Sequence, residues 1–213
     1  MNSLDKALCL YAITDHTWLQ GRSIEEVTEE ALIGGATMIQ IREKNISFDE
    51  YVKRALSLKK LCHRYGVPLI VNDNVEVAIA SEADGVHVGQ SDLDCISARK
   101  KIPSSFILGV SAQTVEQAQE AERNGADYLG VGALFPTDTK EDAHTISLDL
   151  FDEICSSVSL PIVGIGGIDC AKIKRLKGHK MKGVSVISAI FASPNITKAT
   201  AELYQEVSSC IQP

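Results

Sequence analysis

Long apolar runs are missing from this chain: nothing approaches the roughly 20 consecutive apolar residues that cross a bilayer, so no membrane partner is expected. A CxxC pair is missing as well. The six cysteines (Cys9, Cys62, Cys95, Cys155, Cys170 and Cys210) are scattered, and none has a histidine at zinc-finger spacing; reduced core or surface thiols are expected rather than a metal knuckle. Basic charge is in deficit. A net charge of -7 without a Lys/Arg cluster interleaved with aromatics argues against nucleic acid. The nearest basic run, residues 172 to 177, alternates so that Ile173 and Leu176 form a buried stripe with the charges outside. The first residues place Asp5 beside Lys6 and run straight into a strand-like stretch, without the basic region, apolar stretch and cleavage site of a secretory signal. A cytoplasmic protein is the expectation.

What is present is a count. Short β-rich runs recur at 8 to 14, 36 to 42, 68 to 72, 84 to 88, 106 to 110, 126 to 131, 160 to 165 and 182 to 187. Most are continuously apolar, as parallel strands buried on both faces must be. Helical stretches lie between them, including 23 to 34, 48 to 65, 114 to 124 and 169 to 177, opened by the capping residues Ser23, Ser47, Thr114 and Asp169. GlyGlyAlaThr at 34 to 37, GluAlaAspGly at 82 to 85 and AsnGlyAlaAsp at 124 to 127 repeat one phrase, in which glycine ends a helix and the chain turns into the next strand. Eight strand and helix units in 213 residues predict α/β architecture, a single (β/α)8 TIM barrel forming one catalytic domain over 1–213. A doubly wound open sheet is the alternative, but no dinucleotide fingerprint follows the first strand.

Barrels of this kind build their sites at the C-terminal ends of the strands. The residues standing there are polar: Gln40, Arg42 and Lys44 after strand two; Asn72 and Asp73 after strand three; Gly89, Gln90 and Asp92 after strand four; Ser111 after strand five. Thr137, Thr139 and Lys140 follow strand six, Gly166 and Gly167 follow strand seven, and Ile187, Ser188 and Ala189 follow strand eight. Each has an ordinary explanation. Gln40, Arg42 and Lys44 would form one solvated face, Asn72 and Asp73 would cap a helix, Asp92 would sit in a favourable first turn, and the glycines would make a turn. Convergence on one rim weighs against all of these together.

The residue types suit one task. Asp73 and Asp92 on neighbouring strands are the hard oxygen ligands that Mg2+ takes, with water and phosphate oxygens completing the shell. Arg42, Lys44 and Lys140 supply three positive charges, enough to offset a diphosphate carrying roughly three negatives. Backbone N–H groups at Gly166, Gly167, Ile187 and Ser188 stand where such barrels commonly hold a second phosphate.

Seven segments in order resemble the thiamine-phosphate synthase (thiamine-phosphate pyrophosphorylase) family. They are GlnIleArgGluLys at 40 to 44, ValAsnAspAsn at 71 to 74, GlyValHisValGlyGlnSerAsp at 85 to 92, GlyValSerAla at 109 to 112, PheProThrAspThrLys at 135 to 140, GlyIleGlyGlyIle at 164 to 168 and ValIleSerAlaIle at 186 to 190. The resemblance runs from about Leu10 to Ala192. It implies that a transferase condenses 4-amino-2-methyl-5-pyrimidinylmethyl diphosphate with a thiazole phosphate, giving thiamine phosphate and diphosphate. It implies that Gln40 contacts the aminopyrimidine and that Arg42, Lys44, Asn72, Ser111 and Lys140 hold the diphosphate. Asp73 and Asp92 would ligate magnesium, and Thr137, Thr139, Gly167, Ile187 and Ser188 would bind the thiazole phosphate. A small homo-oligomer is also implied.

One position departs from the family pattern, which has histidine in SerAlaHisThr where this chain has Gln113. The resemblance therefore carries no functional contact onto Gln113, and the substitution weighs against the nearest alternative, a thiazole tautomerase, because glutamine cannot serve as a general base near neutral pH. A non-catalytic barrel that senses thiamine precursors is the alternative from another class, and a sugar-phosphate epimerase would need its carboxylates as acid and base instead. His87 reads as a hydrogen-bonded structural histidine facing the helices, and His144 as an exposed loop residue. Trp18, the sole tryptophan, is placed in a loop, where covering the substrate and plain packing are both open. The loops 15 to 22 and 133 to 146 are candidates to close over the site.

Overall fold

The computed structural model describes residues 3–19, 21–90, 92–137 and 144–211. Eight parallel strands close into a barrel in sequence order, β1 pairing with both β2 and β8. They are β1 (Leu10–Ile13), β2 (Met38–Ile41), β3 (Leu69–Asn72), β4 (Gly85–Val88), β5 (Ile107–Ala112), β6 (Tyr128–Val131), β7 (Ile162–Ile165) and β8 (Gly183–Val186). The helices are α1 (Ser3–Ala7), α2 (Ile24–Ile33), α3 (Phe48–Arg64), α4 (Val75–Ala80), α5 (Cys95–Lys101), α6 (Val115–Arg123), α7 (Leu148–Ser157), α8 (Cys170–Ile173), α9 (Ser188–Phe191) and α10 (Ile196–Cys210). The (β/α)8 barrel expected from the strand count is the fold, with two refinements. Residues 169 to 177 do not form one helix but α8 followed by a 3-10 turn over Lys174–Leu176, and β5 runs on to Ala112, so Ser111 lies within the strand. Ile173 and Leu176 are fully buried while Lys174, Arg175 and Lys177 stay outside.

Side-chain alternation divides the apolar residues into two cores. Leu10, Ala12, Ile39, Ile41, Val86, Val88, Leu129, Val184 and Val186 pack with the helices in the larger cluster. Leu8, Tyr11, Met38, Ile70, Tyr128 and Val163 form the smaller one inside the barrel, where Leu4 and Ala7 of α1 pack against it. Continuous burial along both faces explains why the strands read as unbroken apolar runs.

The expected caps are all in place: Ser23, Ser47, Thr114 and Asp169 each accept a backbone N–H of the helix they open. Ser23 and Glu26 form a reciprocal capping box, so Ser23→Ala should cost about 1 kcal/mol. Urea denaturation should show that loss as a lower midpoint at unchanged slope. In the repeated helix-ending phrase, Gly35 and Gly125 take φ of +100° and +87°, but the corresponding turn before β4 puts Glu82 at +50°.

Candidate active site at the strand C-termini

All eight strands are parallel, so their C-terminal ends open on one rim. The ends of β1 and β2 are tied together. Thr14 N–H donates to the Gln40 carbonyl at 2.9 Å, Arg42 N–H donates to Thr14 Oγ1 at 3.1 Å, and the Arg42 guanidinium meets Asp15 at 2.8 Å. Both of those charged side chains are largely buried. Asp15 went unnoticed in the sequence, and it matches one of the three positive charges counted there. Lys44 is exposed. Between Arg42 and Lys44, the buried Glu43 carboxylate is held by His16 and, at 3.1 Å, by Arg54 of α3. Tyr51 of α3 shares its hydroxyl proton between the Ile41 carbonyl at 3.0 Å and the Asn72 carbonyl at 3.2 Å, fastening the ends of β2 and β3.

The two carboxylates expected to hold a metal both lean on the end of β4. Asp73 N–H donates to the His87 carbonyl at 2.8 Å, and Asp92 Oδ2 accepts from Gly89 N–H at 2.7 Å. Neither residue is a helix cap; Asn74 caps α4 and Asp94 caps α5. Asp73 has φ of +61° and accepts from Asn72 Nδ2 at 2.7 Å. Among the described residues no group of three or more His, Cys, Asp or Glu could hold a metal ion. A pair of carboxylates with no nitrogen or sulfur ligand suits a hard cation that keeps its waters, and does not suit structural zinc.

Inside the rim, Gln40 is 2% exposed, and its Nε2 donates to Tyr11 Oη at 2.5 Å. Tyr11 Oη lies 2.9 Å from Tyr128 Oη, which lies 2.9 Å from His87 Nδ1, and His87 Nε2 is 3.0 Å from Ser111 Oγ. The hydrogen-bonded histidine is as expected, but its orientation is not: its ring contacts Tyr128 and Ser111 across the barrel interior instead of facing the helices. Burial pushes both tyrosine phenols well above their ordinary range. Gln90 Nε2 donates to the Ser111 carbonyl at 2.6 Å, drawing the loop after β4 over the end of β5.

On the far side, the chain after β6 lies along the end of β7. Leu134 N–H donates to the Ile165 carbonyl at 2.9 Å and Phe135 N–H to the Gly166 carbonyl at 3.1 Å. A methyl group on Gly167, at φ of +61°, would stand 2.3 Å from the Pro136 carbonyl oxygen, so only glycine lets the two loops touch. Thr137 follows at once and is half-buried. The side chains of Lys172 and Arg175 lie over the Phe135 ring at 5.5 and 5.1 Å. Ile165 pairs in register with Ser185, so Gly167 and Ile187 each follow the end of one of two neighbouring strands. Ser188 opens α9.

Thr139 and Lys140, together with the middle of the 133 to 146 loop, lie outside the described residues. His144 is exposed, as expected. Trp18 sits in a 3-10 turn over His16–Trp18, partly buried against the outer core. A shallow groove of about 490 Å³ lined by Asp49, Val52, Lys53 and Leu56 runs along α3 and includes no rim residue. Register would have found Tyr128, which pairs with Gly109, and continuing the pairing of Ile13 with Gln40 by two residues brings Asp15 to Arg42; Tyr11 pairs with Met38, and its contact with Gln40 is diagonal, which no pairing rule reads from the sequence.

Fold and rim define a (β/α)8-barrel enzyme. Comparison with known proteins narrows this: the family described as thiamine monophosphate synthase matches residues 10–190. A thiamine-phosphate synthase of Clostridium tetani is 46% identical over 194 residues, covering 91% of this chain and 93% of the relative. One from Chloroflexus aurantiacus is 47% identical over 200 residues, covering 93% and 92%. A solved thiamine phosphate pyrophosphorylase from Pyrococcus furiosus superposes with a TM-score of 0.91 at 38% identity, covering 98% of this chain and 99% of that one. The chain belongs to the thiamine monophosphate synthase family and is a transferase. No helix among the described residues is long and apolar enough to cross a membrane.

Proposed function

We propose that this single catalytic barrel condenses 4-amino-2-methyl-5-pyrimidinylmethyl diphosphate with a thiazole phosphate, releasing diphosphate and forming thiamine phosphate. The observation that supports the reading is the position of the seven family-like segments, whose described residues fall at strand ends or in the loops that follow them around one rim. Gln40 reads the aminopyrimidine. Arg42, Lys44, Asn72, Ser111 and Lys140 hold the diphosphate, with the Asp15 carboxylate fixing the Arg42 guanidinium by an ion pair of 2.8 Å. Thr137, Thr139, Gly167, Ile187 and Ser188 take the thiazole phosphate.

Asp73 and Asp92 would hold Mg2+, which when bound neutralises diphosphate oxygens. The chain's own residues carry the rest. The C–O bond to the exocyclic CH2 breaks with its electron pair going to the diphosphate, while the electron-rich pyrimidine stabilises the cation left behind. The thiazole nitrogen then donates its lone pair to that carbon. No covalent nucleophile is needed, so positioning and stabilisation of the departing anion supply the rate. Lys140→Ala should lower kcat on the order of 100-fold, the usual loss for one preorganised donor, with an unchanged circular dichroism spectrum. The reading as a whole is tested by mixing the two precursors with Mg2+ and assaying thiamine phosphate. Binding without diphosphate release would identify a sensor instead.

A further inference from the structure

The links that join Gln40 to Ser111 share a property that single hydrogen bonds lack. Tyr11, Tyr128, neutral His87 and Ser111 each carry one transferable donor proton on the linking atoms. Contacts of 2.5, 2.9, 2.9 and 3.0 Å connect them in series. Gln40, Tyr11 and Tyr128 are at most 2% exposed and His87 is 8% exposed, so water does not replace a missing bond. A link turned the wrong way would leave two lone pairs facing each other in a dry interior, at a cost of about 1–3 kcal/mol.

The chain therefore has two low-energy polarities. With the Gln40 amide nitrogen toward Tyr11, every proton points toward Ser111. His87 is then protonated on Nε2, and the Ser111 proton is turned out to the rim. With the amide reversed, every proton points toward Gln40. His87 is protonated on Nδ1, and Ser111 spends its proton on His87 and offers the rim only lone pairs. Gly109 provides the room: its neighbours in register are His87 and Tyr128. A methyl group there would stand 2.4 Å from His87 Nδ1 and 2.3 Å from the Tyr128 hydroxyl.

Resting on the functional reading above, we infer that this chain couples recognition of the pyrimidine 4-substituent at Gln40 to the ability of Ser111 to donate to the leaving diphosphate. An exocyclic amino group selects the Gln40 carbonyl, which places the amide nitrogen on Tyr11 and aims the Ser111 proton at an acceptor-only diphosphate. A 4-oxo pyrimidine selects the Gln40 nitrogen and withdraws that proton. Tyr11, Tyr128 and His87 are thus positioning residues, and the enzyme rejects the oxo analogue in the chemical step as well as in binding.

The test is a spectrum and a rate. Enzyme labelled with 15N-histidine, its His87 signals assigned by their loss in His87→Gln, is titrated with either pyrimidinylmethyl diphosphate without the thiazole. The amino compound should leave the proton on Nε2, and the oxo compound should move it to Nδ1. In Tyr128→Phe, or in Tyr11→Phe should the first variant not fold, the tautomer should no longer follow the pyrimidine. In turnover, the oxo substrate should be on the order of 100-fold slower in kcat with the wild-type enzyme. Cutting the chain should bring that ratio toward unity while the KM ratio, set locally by Gln40, persists. A merely structural role would slow both substrates in proportion and leave the kcat ratio intact, which would overturn the coupling. So would His87 protonated on both nitrogens, or one tautomer with both ligands, even while thiamine phosphate forms. Failure of the amino substrate to react at all would overturn the functional reading and this inference with it.

Discussion

Gly109→Ala is expected to lower the melting temperature by about 10 °C, taking a loss of about 3 kcal/mol and the usual shift of about 2–4 °C per kcal/mol for a chain of this size. The added methyl would lie 2.2 Å from the Tyr128 ring, 2.3 Å from its hydroxyl and 2.4 Å from His87 Nδ1. Overpacking of this kind costs about 1–3 kcal/mol. Moving His87 and Tyr128 away from the new methyl strains the hydrogen bond between them, and losing it would leave buried polar atoms unpaired at about 1–3 kcal/mol more. Against a total stability of about 5–15 kcal/mol the loss is severe. Gly130→Ala is the internal control, since its methyl would lie 3.1 Å from His87 Cε1 and asks only for a small shift. Scanning calorimetry should rank Gly109→Ala well below Gly130→Ala. Equal melting temperatures would mean that His87 and Tyr128 do not meet beside Gly109.

Chelation by EDTA is expected to stop turnover and added Mg2+ to restore it, with the unliganded melting temperature unmoved, because the proposed ion is held by two rim carboxylates, waters and substrate oxygens. Asparagine replacements separate the charge from the fold. In Asp92→Asn a side-chain oxygen still accepts from Gly89 N–H, and in Asp73→Asn the new residue is at ease at φ of +61°. Each variant should raise the Mg2+ concentration needed for half-maximal rate and cost on the order of 100-fold in kcat. A double variant with an unaltered Mg2+ titration would remove these two carboxylates from the metal site.

Much of the fold could be read from the chain because its signals are local. Eight apolar runs and the caps at Ser23, Ser47, Thr114 and Asp169 specify which segments are strands and where helices begin. Boundaries were less legible. β5 continues through Ser111 because its backbone is still paired with Gly130 of β6, a long-range bond with no local signature. The rim residues were legible as polar interruptions at strand ends. Their partners were not: Asp15 matches Arg42 across adjoining strands, and Tyr51 reaches two strand ends from a helix.

The sequence by itself determined the element types, the barrel count and, among the described residues, which polar positions follow the strand ends, since periodicity and capping act within a few residues. Only the tertiary structure decided which way His87 turns, that Tyr11 and Tyr128 meet from strands 117 residues apart, and that Gln40 and Ser111 lie at two ends of one chain of hydrogen bonds. Those facts depend on register and closure. Pairing between distant strands sets which residues share a level inside the barrel, and no window of local sequence carries that information.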